Sequence, residues 1–264
     1  MARPIITLTT DYGTNDHLVG VMKGVILSIN PEVNIVDITH SVLAHDLLDG
    51  ALTIGNAYKY FPPKTVHVVV VDPGVGTARR PILVASDTQY LVAPDNGVLS
   101  SVYDQTEALY VWNIISEHYF RQPVSNTFHG RDVFAPVAAW LTKSWQTSAF
   151  GEQITDFVRF ALPRPKASGN VVKGIVLKVD QFGNLITNLR AEDVPAFAAD
   201  GGKFTIRAGS AAVTKLAPTF ASGTNGEAIG LIDSSGFLEI SVNKASASKA
   251  LGIGRGAEVT VEVG

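Results

Sequence analysis

Residues 66–76 read Val66-His67-Val68-Val69-Val70-Val71-Asp72-Pro73-Gly74-Val75-Gly76. The first six residues, five of them valine, form a β-branched run interrupted only by His67, which suits a central strand buried on both faces. Asp72 leaves that strand into a tight Pro-Gly turn. On either side, short apolar runs alternate with amphipathic segments. Strands are expected at 5–9, 34–38, 82–85, 90–93 and 108–112, and helices at 17–29, 46–60 and 133–143. In the first helix Leu18, Val21, Met22, Val25 and Ile29 recur at helical spacing and Pro31 stops it. In the second, Asp46 is a natural N-cap and Leu47, Leu48, Ala51 and Ile54 face inward. The pattern predicts an α/β N-terminal domain over residues 1–163, with a central, mostly parallel sheet covered by helices on both faces.

Residues 161–169 carry two prolines and no apolar periodicity, the signature of a linker. Beyond them short strands are expected at 171–179, 203–208, 228–232, 237–242 and 257–263, separated by glycine-rich turns. Residues 170–264 are thus expected to form a small all-β, barrel-like domain. A unit under about 100 residues has a limited core, so it should pack against the first domain or a neighbouring subunit.

The chain has 264 residues, 46% hydrophobic and 17% charged, which is a globular composition. Its 21 basic and 24 acidic residues leave a net charge of −3, with no general pull toward nucleic acid or anionic lipid. Cysteine is absent, which removes disulfides, thiolate metal sites and cysteine nucleophiles. The apolar run near the N-terminus is short and soon interrupted by Asp11, unlike a signal peptide. No stretch approaches the roughly 20 apolar residues of a membrane span. A cytoplasmic protein that binds neither nucleic acid nor membrane is expected. Outside the 126–132 loop, His17, His40, His45, His67 and His118 show no metal-ligand spacing, so no metal site is expected.

In an open α/β sheet, ligands bind beyond the carboxyl ends of the strands. Three polar clusters occupy such places: residues 9–16, 72–80 and 126–132. Asp11 can accept ribose hydroxyls or cap the following helix, and Asp16 suits the N-cap of the helix from residue 17. Asp72 is either a turn aspartate or a functional one, and Gly74 and Gly76 let Arg79 fold back on it. Gly74-Val75-Gly76 is only a fragment of a dinucleotide fingerprint, because the third glycine and the helix are missing. His129 shares its loop with Arg131 and Asp132, two charges able to set its protonation. In the second domain Asp180-Gln181-Phe182-Gly183-Asn184 can offer a planar ligand an aromatic face and an amide, or be a plain hairpin turn. Ser234-Ser235-Gly236 and Asn243-Lys244-Ala245 carry the same ambiguity.

Five segments occur together in order: Thr9-Thr10-Asp11-Tyr12-Gly13, the 66–76 run, Ala93-Pro94-Asp95-Asn96-Gly97, Phe128-His129-Gly130-Arg131-Asp132 and residues 180–184. Over essentially the whole chain this order resembles the S-adenosyl-L-methionine (SAM) hydroxide adenosyltransferases, relatives of the SAM-dependent fluorinase and chlorinase. The resemblance implies a homotrimer with each site between the N-terminal domain of one subunit and the β-barrel domain of the next. It also implies a reaction in which water-derived hydroxide attacks ribose C5′ of SAM, releasing adenosine and L-methionine with no cofactor. The family's catalytic aspartate, arginine and histidine fall on Asp72, Arg79 and His129, its ribose aspartate on Asp11, and its adenosine contacts on Phe182 and Asn184. The substrate-binding set it suggests also includes Asp16, Val75, Phe128, Gly130, Asp180 and Ser234. Val75 would pack near C5′, Asp72 and His129 would jointly position and deprotonate water, and Arg79 would stabilise the developing charge. Departures from the halogenases favour hydrolysis. Asp72 and Val75 replace their catalytic-loop tyrosine and threonine, Gly130 replaces the fluoride-contacting serine, and His45 replaces a tryptophan. A chlorinase and a non-catalytic adenosine- or SAM-binding protein are the alternatives.

Overall fold

In the computed structural model, which describes residues 3–199 and 202–264, the valine run lies inside a seven-stranded sheet. Its strands are β1 (Ile5–Thr10), β2 (Asn34–Thr39), β3 (Val66–Val70), β4 (Pro81–Ala85), β5 (Tyr90–Pro94), β6 (Tyr110–Ile114) and β7 (Gly151–Ile154), in the order β2-β1-β3-β5-β4-β6-β7. Side chains alternate across a strand. Val66, Val68 and Val70 therefore enter one core, while Val69 and Val71 enter the other. Helices α1 (Leu18–Ile29) and α4 (Ala135–Ser144) supply Met22, Ile26, Val137 and Leu141 to the first core. Helices α2 (Leu47–Ala57) and α3 (Ser100–Tyr103) supply Ile54 and Val102 to the second.

The sheet is mixed. Pairs β1–β2, β1–β3 and β3–β5 are parallel, whereas β4–β5, β4–β6 and β6–β7 are antiparallel. The expected mostly parallel arrangement thus holds around β3 and gives way to antiparallel pairing from β5 outward. The reason is chain length. The four-residue turn between β4 and β5, closed by Ser86 N–H donating to the Gln89 carbonyl at 2.9 Å, is far too short for a parallel crossover, which needs a dozen or more residues.

Asp46 caps α2, its carboxylate accepting from Asp49 N–H at 3.0 Å. The capping role expected of Asp16 is not realised. His17 occupies the N-cap of α1 with helical backbone angles and no side-chain cap, and Asp16 is exposed. The buried face of α1 is Val19, Met22 and Ile26; of the expected stripe Met22 lies on it, while Leu18, Val21, Val25 and Ile29 lie on its flanks, half-buried. Before α4 the chain makes one π-helical turn, Gly130–Phe134.

The chain divides into two compact units, Met1–Leu162 and Pro163–Gly264. The second contains β8 (Lys166–Ser168), β9 (Val171–Val179), β10 (Leu185–Arg190), β11 (Phe204–Ala208), β12 (Ala211–Val213), β13 (Ala228–Ile232), β14 (Phe237–Val242), β15 (Glu258–Val263) and a short α5 (Ala247–Leu251). Seven strands follow the antiparallel order β12-β11-β15-β9-β10-β14-β13, and β8 pairs with β9. A bridge between Leu216 and Gly230 brings the two ends close to barrel closure. β8 lies inside the expected linker, and β10 occupies a stretch with no expected strand. The reading against a signal peptide rests partly on Met1 and Ala2, which lie outside the described residues.

Candidate active site

Three of the expected catalytic residues meet. β3 delivers Asp72 at its carboxyl end, and the loop that follows turns back through Gly76, at φ +76°. A Cβ on Gly76 would come within 2.2 Å of the Asn126 carbonyl oxygen, so glycine is required both by the left-handed backbone and by the close approach of the 126–132 loop. Arg79 thereby folds onto Asp72. Its Nε donates to Oδ1 and Oδ2 at 3.0 and 3.1 Å, and its Nη2 donates to Oδ2. The same Nη2 lies 2.7 Å from Nδ1 of His129.

That contact fixes the state of the imidazole. A guanidinium only donates, so His129 Nδ1 accepts, and the neutral ring carries its proton on Nε2. Burial and the Arg79 charge hold the His129 pKa below the usual histidine range, while Asp72 and Asp132 pull the other way. The Asp72 and Arg79 side chains are only 4% and 9% exposed, and the guanidinium lies over the Phe134 ring, 5.2 Å from its centroid. Arg79 Nη1 is buried with no hydrogen-bond partner among the described residues. A charged donor left unpaired in this way is costly, and an acceptor brought beside it would offset that cost.

Of Arg131 and Asp132, expected to set His129's protonation, Asp132 does act on it, pulling its pKa up, while the two pair with each other at 2.6 and 2.7 Å. Asp132 is fully buried and also accepts Ser125 N–H at 2.9 Å. The larger charge effect on His129, that of Arg79, comes from a different loop. Asp11 accepts His45 N–H at 2.9 Å, with His45 in a left-handed conformation at φ 64°. Between Asp11 and the trio sits Tyr12. Burial, Asp11 and Asp72 raise its hydroxyl pKa, so it stays a neutral phenol. Its ring meets Phe128 edge-on at 5.9 Å. Gly130 is buried, and a Cβ there would lie 2.6 Å from the Tyr12 hydroxyl. Val75 is half-buried in the catalytic loop, and Asp16 is exposed away from any hydrogen bond described for this loop.

The second unit holds a cavity of about 670 Å³ whose lining includes Asp180, Phe182, Asn184, Phe220, Ile229 and Ser241. Asp180 organises this edge. Its Oδ1 accepts Phe182 N–H and Asn184 N–H at 2.9 and 2.7 Å, and its Oδ2 accepts the Asn184 side-chain amide at 2.9 Å. The turn reading of residues 180–184 is therefore realised: Asp180 is consumed by the turn, and Phe182 projects from it, 77% exposed. Ser234 is not part of the cavity lining. It stands exposed in a turn whose Asp233 carboxylate accepts Ser235 N–H at 2.7 Å and Phe237 N–H at 2.9 Å. Sequence reasoning did not single out Tyr12, Phe220 or Ser241. Tyr12 was signalled by adjacency to Asp11, whereas Phe220 and Ser241 join the site only through tertiary packing.

Family models describe both units: the SAM hydroxide adenosyltransferase N-terminal domain matches residues 6–151 and the corresponding C-terminal domain residues 174–260. The chain belongs to the SAM hydroxide adenosyltransferase family. A protein from Methanocaldococcus jannaschii named (R)-S-adenosyl-L-methionine hydrolase is 37% identical, over 94% of this chain and 92% of that one. Its namesake from Salinispora tropica is 36% identical over 99% and 98%. A fluorinase from an Actinoplanes species is 30% identical over 98% and 97%. A crystal structure of an uncharacterized conserved protein from Thermotoga maritima superposes with a TM-score of 0.90 at 37% identity, covering 97% of this chain and 99% of that one. No helix among the described residues is long and apolar enough to cross a membrane.

Proposed function

We infer that this chain hydrolyses SAM to adenosine and L-methionine by in-line displacement at ribose C5′. The observation that carries the inference is Arg79, which bridges Asp72 and His129 while keeping Nη1 buried and unpaired. A sulfonium is already a good leaving group, so the difficulty lies in the nucleophile. Water ionises with a pKa of about 15.7 and needs both a proton acceptor and a cation beside the developing charge.

Arg79 Nη1 is the donor that holds and stabilises the oxygen. His129 has its Nδ1 occupied and its proton on Nε2, so it orients the water as a donor and takes no proton. Among the described residues Asp72 Oδ1 accepts only the Arg79 Nε–H and keeps acceptor capacity, which makes it the proton acceptor. The balance is simple. One water O–H proton passes to Asp72 and on to solvent, the C5′–O bond forms, and the C5′–S bond breaks with its electron pair left on the methionine sulfur. The route needs no metal or cofactor. Asp11 would take the ribose hydroxyls, with Val75 and Phe128 supplying apolar walls.

Phe182 and Asn184, at the rim of the second unit's cavity, would hold the adenine. The exposed Phe182 and the resemblance to the family support a homotrimer in which one copy's trio faces the next copy's cavity. A cytoplasmic location belongs to the same reading. Gly130 bears on the halide alternative: the Tyr12 hydroxyl occupies the space a serine would need. Incubation with SAM alone is expected to yield adenosine and methionine in equal amounts. Absence of both products, or 5′-chloro-5′-deoxyadenosine as the main product in chloride, would overturn the assignment.

A further inference from the structure

The Pro94-Asp95-Asn96-Gly97 turn touches no reacting group, yet its two polar side chains grip both ends of the catalytic loop. At the front end, Asn96 Nδ2 donates to the Val71 carbonyl at 2.9 Å, and Val71 immediately precedes Asp72. Asn96 is itself held, its Oδ1 accepting Val98 N–H at 3.1 Å. At the back end, Asp95 Oδ2 accepts Arg80 Nε and Nη2 at 3.0 and 2.7 Å, and Arg80 immediately follows Arg79. Asp95 N–H also donates to the Arg80 carbonyl at 2.8 Å, so the pairing is reciprocal. The Asp95 side chain is 2% exposed. Its second oxygen accepts Val158 N–H at 2.7 Å, and Arg80 reaches on to Asp156 at 2.9 Å.

The loop between these anchors forms no strand or helix. Its internal contacts are those of short turns, such as Val75 N–H to Asp72 O at 3.2 Å and Thr77 N–H to Gly74 O at 3.2 Å, and it contains two glycines. Two adjacent residues of a rigid turn between sheet and helix thus set the separation of Asp72 and Arg79 from outside.

We propose that Asp95 and Asn96 are positioning residues, a brace that fixes both ends of the 72–79 loop and thereby holds Arg79 across Asp72 and His129. The proposal rests on the hydrolase reading for its kinetic consequences and on geometry alone for its effect on His129. The groups that face His129 are Arg79, Asp72 and Asp132, and only the first two depend on the brace.

Asn96→Asp keeps the bond from Val98 N–H and replaces the donor to Val71 with an acceptor. Arg80→Lys loosens the other end while keeping the charge. In each variant kcat is expected to fall about tenfold or more, with KM for SAM within about twofold, because misplacement by an ångström or less costs transition-state alignment. Histidine-selective ¹⁵N NMR, with the His129 signal assigned by its loss in His129→Gln, reads the trio without substrate. Both variants should move the His129 titration back toward ordinary histidine, and thermal melts report whether each variant is folded. A folded variant with wild-type kcat and an unmoved His129 titration overturns the brace. If wild type shows no turnover, the hydrolase reading fails, and the His129 titration in the folded variants still decides the brace. Should Asn96→Asp not fold, Arg80→Lys decides it by the same readouts.

Discussion

The loop of residues 72–80 and the cavity of the second unit are built on opposite principles. In the loop the Asp72 and Arg79 side chains are buried, charged and committed to each other: among the described residues Arg79 spends its Nε and Nη2 on Asp72 and His129, and Nη1 has no partner. The cavity is wide, with exposed aromatic side chains at Phe182 and Phe220 and a lining surface that is mostly apolar. Chemistry that creates charge needs groups already oriented and shielded from water, because reorganising dipoles during the reaction costs free energy. Recognition of a flat base needs area more than orientation. The two regions should therefore fail differently when cut, one in kcat and the other in KM.

The sharpest break comes from removing the cation. Arg79→Met keeps volume and loses the charge, and kcat should fall by about a thousandfold with a much smaller change in KM, the scale seen when an oriented donor to a developing charge is lost. Adenosine release followed by chromatography measures it. Asp72→Asn should cost about a hundredfold, in the range for a lost general base. A kcat for Asp72→Asn above that of His129→Gln would reverse the roles assigned to these two residues.

Next in size is a control outside both regions. His67 is buried in β3, with Nδ1 2.7 Å from the Thr7 hydroxyl, and burial lowers its pKa to about 4. The unfolded chain therefore takes up this proton first as pH falls. The stabilisation is fully present above about pH 6.5 and is lost toward pH 4, amounting to about 3 kcal/mol. Urea melts should show this slope in wild type and a shallower one in His67→Gln.

Phe182→Ala should raise KM about tenfold, equivalent to about 1.4 kcal/mol of base stacking, and leave kcat nearly unchanged. A fall in kcat alone would erase the contrast between the regions. The mildest effect is in pH. His129 must be neutral to accept from Arg79, and its pKa lies below the usual range, so the acid limb of kcat should fall below pH 6.5 and vanish in His129→Gln.

Much of this was legible in residue order. The valine run declared a strand buried on both faces, and its alternation between two cores follows from side-chain period alone. Asp72, Arg79 and His129 were nameable from the motifs they sit in. The strand at Leu185–Arg190 was not, because its buried Thr187 and Asn188 break the apolar pattern. Their side chains replace ladder contacts: Thr187 donates to the Leu238 carbonyl at 2.7 Å, and Asn188 accepts Ile175 N–H at 2.7 Å. The antiparallel half of the first sheet was implied by the four-residue gap between β4 and β5, a constraint of chain length that periodicity does not display.

Local pattern is dictated by neighbours a few bonds away, so the sequence alone determined the strands around β3, the capped second helix and the identity of the three polar residues. What only the tertiary structure decided is which atom faces which: that Arg79 spends one nitrogen on His129 and leaves another open, that Asp132 turns to Arg131 instead, and that a distant turn holds both ends of the loop. Hydrogen bonds lose their strength within fractions of an ångström and tens of degrees. Such distances between loops far apart in the chain are set by the packing of the whole sheet and its helices.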